Sequence, residues 1–495
     1  MEHPSIIQGG MGVGVSDWRL ARSVSIQGAL GVVSGTALDT VMARRLQQGD
    51  QGGHMRRGLL AFPDPALADR VLADWFRPDG TADTHDFASL PLRKAIRDDH
   101  TCPPSAAETE SRRRIDELTV AANFVEVYLA KEAQPGLVGI NYLEKVQLPN
   151  PASIYGAMLA GVDYILMGAG IPLEIPRLLD RYAAGEAGDI QVHVEGAPKD
   201  ARYVARFDPA GTLASPPASL KRPAFLAIVS SYILAATMLT RASGRVDGII
   251  VENQSAGGHN APPRGVLQLD EFGEPIYGPK DDVDYAKMVG FNIPFWLGGS
   301  YGMPDSLRAS KSDGATGIQV GTLFAFCRES GLLPELKLRF LKAVQAGKAL
   351  VFTHPDASPT GYPFKIAMMD ETLSEKSSFV GRVRVCNVGL LRQPYDAGNG
   401  HLGYRCPAEA PSSFVKKGGA AALSTNARCL CNALLTNIGL GMSYAGARLE
   451  KPLVTVGKHL ESLRLIIGRF GMDYSAVDVL NFLHPGTPAY KTLRR

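Results

Sequence analysis

This chain of 495 residues lacks most of the extremes that would mark a specialised class. An excess of one charge is missing: 52 Lys and Arg stand against 49 Asp and Glu, a formal net charge of +3. No basic tract is interleaved with aromatic residues, so nucleic acid and anionic membranes are not expected partners. No apolar run is long enough to cross a bilayer. The most apolar segment, PAFLAIVSSYILAATML from Pro223 to Leu239, is broken by Ser230-Ser231-Tyr232 and falls short of the ~20 residues a span needs. It reads as a buried strand followed by a helix. The opening MEHPSIIQGG has neither the basic nor the apolar region of a signal peptide. A soluble, cytoplasmic protein is the expectation. Cysteine is scarce as well: Cys102, Cys327, Cys386, Cys406, Cys429 and Cys431 are the six, and in a reducing compartment they are not expected to pair as structural disulfides. Low-complexity tracts are absent.

What the chain does have is a repeated alternation. Eight short apolar runs, rich in Val and Ile, each end in glycine or polar residues: Ser5 to Gln8, Leu30 to Val33, Leu137 to Tyr142, Val162 to Met167, Phe225 to Val229, Gly248 to Val251, Pro294 to Leu297 and Gly317 to Val320. Runs without polar alternation suit parallel strands covered on both faces. Helical patterns lie between several of them, at 17–27, 153–159, 232–242 and 306–310. Eight such units predict an α/β fold, a (β/α)8 TIM barrel, over about residues 1–330. Two insertions are expected, one after strand 2 (about 36–136) with added helices, one after strand 4 (about 171–222). The second holds a helix over 173–184 and a hairpin over 191–207 around Ala197-Pro198-Lys199-Asp200. Residues 331–495 read as an α-rich C-terminal extension dense in Gly, Pro and Cys, opening with a helix over 332–349.

In such a barrel, function sits at the C-terminal ends of the strands. Gly298-Gly299-Ser300-Tyr301-Gly302 follows strand 7 and Gly321-Thr322 follows strand 8. Glycine-rich loops there let backbone N–H groups approach a phosphate. Gln8-Gly9-Gly10-Met11-Gly12 after strand 1 offers bare backbone to a flat ring. After strand 6, Ser255-Ala256-Gly257-Gly258 delivers one imidazole, His259. His193, His354, Trp296 and Asp313 read as surface, turn or core residues.

IIQGGMG, SAGGH, the strand 7 glycine turn and GIQVGTLF together resemble the nitronate monooxygenase (2-nitropropane dioxygenase-like) family of FMN-dependent TIM barrels, across about residues 5 to 330; the tail is similar to that of longer bacterial members. The resemblance implies a flavoprotein monooxygenase or related oxidoreductase. Gly10 and Met11 would pass along the isoalloxazine edge and Asn141 would hydrogen-bond the flavin. Gly257 and Gly258 would approach the cofactor, and Gly298, Gly299, Ser300, Gln319, Gly321 and Thr322 would complete the FMN site, with its phosphate at the strand 7 and 8 loops. His259 would be the catalytic base, removing a proton alpha to a nitro or carbonyl group. This sequence departs from the family in its Pro4-Ser5-Ile6-Ile7 start and in a long loop, LQLDEFGEPIYGPKDDVD, after SAGGHNAPPRG. Asp270, Glu271 and Tyr277 of that loop, with Lys145 and Gln147 after strand 3, suggest a pocket for a longer substrate.

Two further readings stay open. Similar barrels act as in-trans enoyl reductases, using NADPH on carrier- or CoA-bound acyl substrates. A flavin or iron–sulfur electron-transfer partner is the other. Cys386, Cys406, Cys429 and Cys431 are spaced C-x19-C-x22-C-x-C, enough thiols for an iron–sulfur cluster or, second, for zinc; buried free cysteines account for them equally well. Substrate identity and self-association are not legible.

Overall fold

A computed structural model describes residues 3–81, 86–98, 105–398, 401–444 and 448–484; Cys102 lies outside them. Eight parallel strands form the centre: β1 (Ile6–Gln8), β2 (Gly31–Ser34), β3 (Val138–Leu143), β4 (Tyr164–Gly168), β5 (Ala224–Val229), β6 (Gly248–Glu252), β7 (Phe295–Gly298) and β8 (Gly317–Val320). Each pairs with its sequence neighbour, and β8 returns to β1 through Ile7 opposite Gln319. Bonds of 3.0 Å from Gln8 N to Leu30 O and from Leu30 N to Ile6 O close the ring. The Gln8 side chain reinforces that seam, donating to Ser16 Oγ at 2.9 Å and accepting from Val32 N at 2.9 Å. The fold is a (β/α)8 barrel, as the alternation predicts.

Alternate strand residues point inward. Ile7, Val32, Leu166, Leu226, Ile250 and Trp296 form one buried cluster that fills the barrel. The other strand face, with Val33, Ile140, Ile165, Phe225, Ile249 and Leu297, packs under the helices. Trp296 is a core residue, its indole donating to Pro4 O.

Both insertions are present. After β2 come helices Leu38–Gln47, His54–Leu60, Pro65–Trp75 and the long Ala106–Lys131. Ser105 and Glu108 start the last by bonding each other's backbone N–H. After β4, helix Ile175–Ala183 leads into an antiparallel pair, Gly188–Gln191 with Tyr203–Phe207. The hairpin exists, but its first strand ends where the expected one begins: Gln191 pairs with Val204, and the alternating VHVEG belongs to the connecting loop.

The extension is rich in helices and lies against the barrel. Its helices Pro334–Gln345, Glu461–Phe470 and Ala476–Leu483 share a buried core with Ile6, Leu20, Ile318 and Val320. After β8 the chain makes only the one-turn helix Thr322–Ala325, so the extension supplies apolar cover there. Between these helices lie β9 (Leu350–His354) and β10 (Phe364–Met368), an antiparallel pair. His354 ends β9 and pairs with Asp356, rather than sitting in a turn. No helix among the described residues is long and apolar enough to cross a membrane.

Candidate active site

The loops at the strand ends enclose a cavity of about 240 Å³. Gly10, Met11, Asn141, Gly257, Gly258, His259, Gly299, Ser300, Gln319, Gly321 and Thr322 all border it. Gly298 is outside: it ends β7, buried, and a Cβ there would meet Gln319 and Glu252 in ordinary contact at 3.5 Å. Two glycines are fixed by space. A Cβ on Gly10 would stand 2.4 Å from the Cβ of Asn141, and one on Gly257 would stand 2.9 Å from the Val456 carbonyl carbon.

The β6 and β7 exits are tied together. Asn253 donates from Nδ2 to Gly299 O at 3.1 Å and accepts from Ser255 Oγ at 2.5 Å, while Ser300 Oγ reaches Ser255 Oγ at 2.5 Å. Gly299 has φ +86, and Ser300, at φ +63, shares the left-handed region that L side chains enter at a cost.

His259 is held by the extension. Its Nε2 is 2.7 Å from Ser358 Oγ, and its ring meets Phe364 edge-on with centroids 4.9 Å apart. The loop behaves as an added strand on β10: Lys365 N donates to Gly258 O and Asn260 N to Pro363 O, both at 2.9 Å. Lys365 is itself buried, donating from Nζ to Gln254 O and Asn260 Oδ1. Burial pushes its pKa down to about 8. Across the cavity, Thr455 Oγ1 accepts from Gly258 N at 2.7 Å and Thr322 Oγ1 from Gly457 N at 3.0 Å. Val454 to Gly457, with Phe364, Leu434 and Asn437, therefore form the far wall. Sequence reading did not find any of these wall residues.

Nor did it find Glu252, the last residue of β6. Burial pushes its carboxyl up to about 7, against the opposing pull of Lys365 and of the Gln319 amide that donates to it at 3.3 Å. Burial pushes His259 the other way, down to about 4, leaving the imidazole neutral. The other amide atom of Gln319, Oε1, is buried without a hydrogen-bond partner.

Glu252 and His259 also border a second chamber of about 440 Å³. Its walls include the apolar Ile171, Ile233 and Leu234, with Arg264, Tyr277 and Asp281 from the long loop after His259. Tyr277 is thus a lining residue, fixed by its bond to Ala261 O at 3.0 Å. Asp270 and Glu271 line neither chamber; Asp270 accepts from the N–H groups of Phe272 and Glu274 in its own turn. Lys145 and Gln147 are also outside, Gln147 being engaged with Gln191 O and His193 N.

The four tail cysteines meet elsewhere, around a separate void in the extension. All described cysteines are free. Among the described residues, no three His, Cys, Asp or Glu side chains are arranged to hold a metal ion as they stand.

The strand ends thus present a glycine-lined cavity bordered by two half-buried groups that can carry a proton, Glu252 and His259. No protein-family model matches the chain, and no curated protein does. Solved structures similar to it include FabK from Thermotoga maritima, at 14% identity and TM-score 0.47 over 98% of this chain and 92% of that one. Nitroalkane oxidase from Streptomyces ansochromogenes aligns at 14% identity and TM-score 0.40 over 97% and 94%. The enoyl reductase domain of MlnA from the macrolactin biosynthesis cluster of Bacillus amyloliquefaciens aligns at 13% and 0.35 over 74% and 64%. At these values the likeness does not extend beyond the fold.

Proposed function

We propose that the cavity at the barrel mouth binds FMN and that the chain is an FMN-dependent oxidoreductase, oxidising a nitronate or related carbon acid with oxygen. One observation carries this reading. A glycine-lined cavity adjoins a substrate-sized chamber, and Glu252 and His259 border both. The residues fit the group: Gly10, Met11, Asn141, Gly257 and Gly258 offer a close-approach surface to the ring. Gly299, Ser300, Gly321 and Thr322 would hold the phosphate, and the unpartnered Gln319 Oε1 is an acceptor suited to a ring N–H. Bound there, FMN would supply two-electron acceptance and reaction with oxygen.

The chain's own residues would handle protons and position. His259 is neutral at every pH near 7, so it is always open to a proton, though a weak base. Glu252, pushed up to about 7, exchanges a proton near neutrality. Together they cover the base and relay roles. Ser358 and Phe364 fix the imidazole, and the segment from Val454 to Gly457 walls one side of the cavity.

The test is anaerobic. Protein purified with its flavin is mixed with a small alkyl nitronate, or with NADPH. Bleaching of the flavin by the nitronate, with peroxide or nitrite formed on readmitting air, is the expected result. No flavin, even after adding FMN, would overturn the assignment. Bleaching by NADPH alone would transfer it to the second reading, an enoyl reductase for a carrier- or CoA-bound acyl chain. The apolar side of the larger chamber, Ile171, Ile233 and Leu234, favours that alternative.

A further inference from the structure

We propose that Cys386, Cys406, Cys429 and Cys431 form a tetrathiolate site for one zinc ion, which pins the extension beside the barrel mouth. The thiols come from three separate segments. Cys386 lies in a stretch without regular structure, Cys406 directly follows strand Leu402–Arg405, and Cys429 and Cys431 open helix Leu430–Thr436. All four border one void of about 10 Å³. That is room for one water-sized sphere, enough for a single ion.

Their packing is the second observation. Cys406, Cys429 and Cys431 share one small buried cluster with Ala408 and Ala427, and Cys386 packs against it. Four thiols binding Zn²⁺ release four protons and leave a charge of −2. Arg392 lies within electrostatic reach of Cys386 and offsets part of that charge, whereas Arg382, near Cys429, is itself paired with Glu450 at 2.9 Å. Glu409 also borders the void, but its carboxylate is paired with Lys417 at 2.7 Å. As they stand, no three of these side chains are arranged to hold a metal ion. Rotation about χ1 moves a cysteine sulfur between staggered positions without moving the backbone, so the same framework serves the metal.

The site's neighbours give it a purpose. Pro359 borders the void, next to Ser358, which holds His259. At the other end of helix Leu430–Thr436, Leu434 and Asn437 border the barrel cavity. An ion at the four sulfurs would lock both elements of the far wall, whatever cofactor the cavity takes.

The experiment is metal analysis of the full-length, untagged protein, with acid-labile sulfide assayed on the same sample. About one zinc per chain, without iron or sulfide and released by a mercurial that titrates the thiols, is expected. Iron with stoichiometric sulfide would overturn the single-ion site, and so would absence of any metal. The Cys406→Ser/Cys431→Ser protein should lose the zinc; full retention would also overturn the site. Because that variant can misfold, cobalt(II) is placed in the wild-type chain as well. The intense sulfur-to-cobalt absorption of four thiolates on a tetrahedral ion supports the site, and a spectrum without thiolate bands sinks it.

Discussion

His259 Nε2 lies 2.7 Å from Ser358 Oγ, although 99 residues separate them in the chain. The barrel carries the imidazole to the cavity on Gly257-Gly258, but the extension decides where its ring points. The same loop is bonded along its backbone to β10 and braced by Lys365. A barrel without this extension would present His259 on an unsupported glycine hinge. The extension thus forms part of the site, as well as covering the barrel's outer face.

Ser358→Ala tests that relationship. The variant removes one buried hydrogen bond and leaves the cavity wall in place. A loss of about 1.4 kcal/mol in positioning, near the upper range for a neutral hydrogen bond, corresponds to roughly tenfold in rate. Substrate-driven flavin reduction, followed by stopped flow, should slow by about that factor, with flavin content unchanged. An unchanged rate would mean that Phe364 alone orients the ring.

Glu252 makes a pH-dependent prediction. Its carboxyl titrates at about 7 in the fold against an ordinary value of 4.5. Between those values the folded chain keeps a proton that the unfolded chain has released, so this group's contribution to stability falls as pH rises through the window. A shift of that size is on the order of 3 kcal/mol. Glu252→Gln abolishes the slope: relative to wild type it should gain stability from pH 5 to pH 7.5 in denaturant titrations. His259, pushed down to about 4, has the opposite sign. It makes stability rise with pH up to about 6.5, so the two slopes largely cancel in wild type and separate only in the variants. In kinetics, the limb of kcat/KM that rises near pH 7 should disappear in Glu252→Gln.

The barrel was legible because its signal is local. Each run such as Gly248-Ile249-Ile250-Val251 ends at glycine or polar residues, and the loops that follow lie at one mouth by the geometry of the fold. Gly10, Asn141, His259 and Gly321 were accordingly found and do border one cavity. Ser358, Phe364 and Val454 to Gly457 were not. Their partners are set by docking of distant segments, which leaves no periodicity to read. Glu252 did carry a local signal, a carboxylate closing an all-apolar strand, but its weight comes from burial, which only the packed chain reveals. The hairpin before Tyr203 was misplaced for a related reason: VHVEG alternates like a strand, yet Gly188–Gln191 pairs instead.

The two glycines before His259 should respond differently to alanine. Gly258 has φ +79 and open space within 4 Å of its missing Cβ, so Gly258→Ala meets only backbone strain, about 1 kcal/mol. Gly257→Ala drives a methyl to 2.9 Å from the Val456 backbone and must displace the far wall, costing roughly 1–3 kcal/mol. Thermal melts should rank Gly257→Ala below Gly258→Ala. Flavin retention on gel filtration should fall in Gly257→Ala; equal melts and equal flavin would refute the close approach.

Lys365 ties these effects together. Its ammonium is buried, donates to Gln254 O and Asn260 Oδ1, and is the cation that pulls on Glu252. Lys365→Met keeps length and apolar stem but removes the donors and the charge. Loss of charge-assisted bonds at a buried site costs about 1.5–3 kcal/mol, and denaturant midpoints should fall accordingly. Without its cation, Glu252 holds its proton more tightly, so the rising limb of kcat/KM should move to higher pH. Lys365→Arg keeps the charge, but a planar fork does not fit the two acceptors of one ammonium. It should restore the position of the limb while leaving the stability loss. A limb that stays fixed in Lys365→Met would remove Glu252 from the proton pathway and leave His259 as the base acting alone.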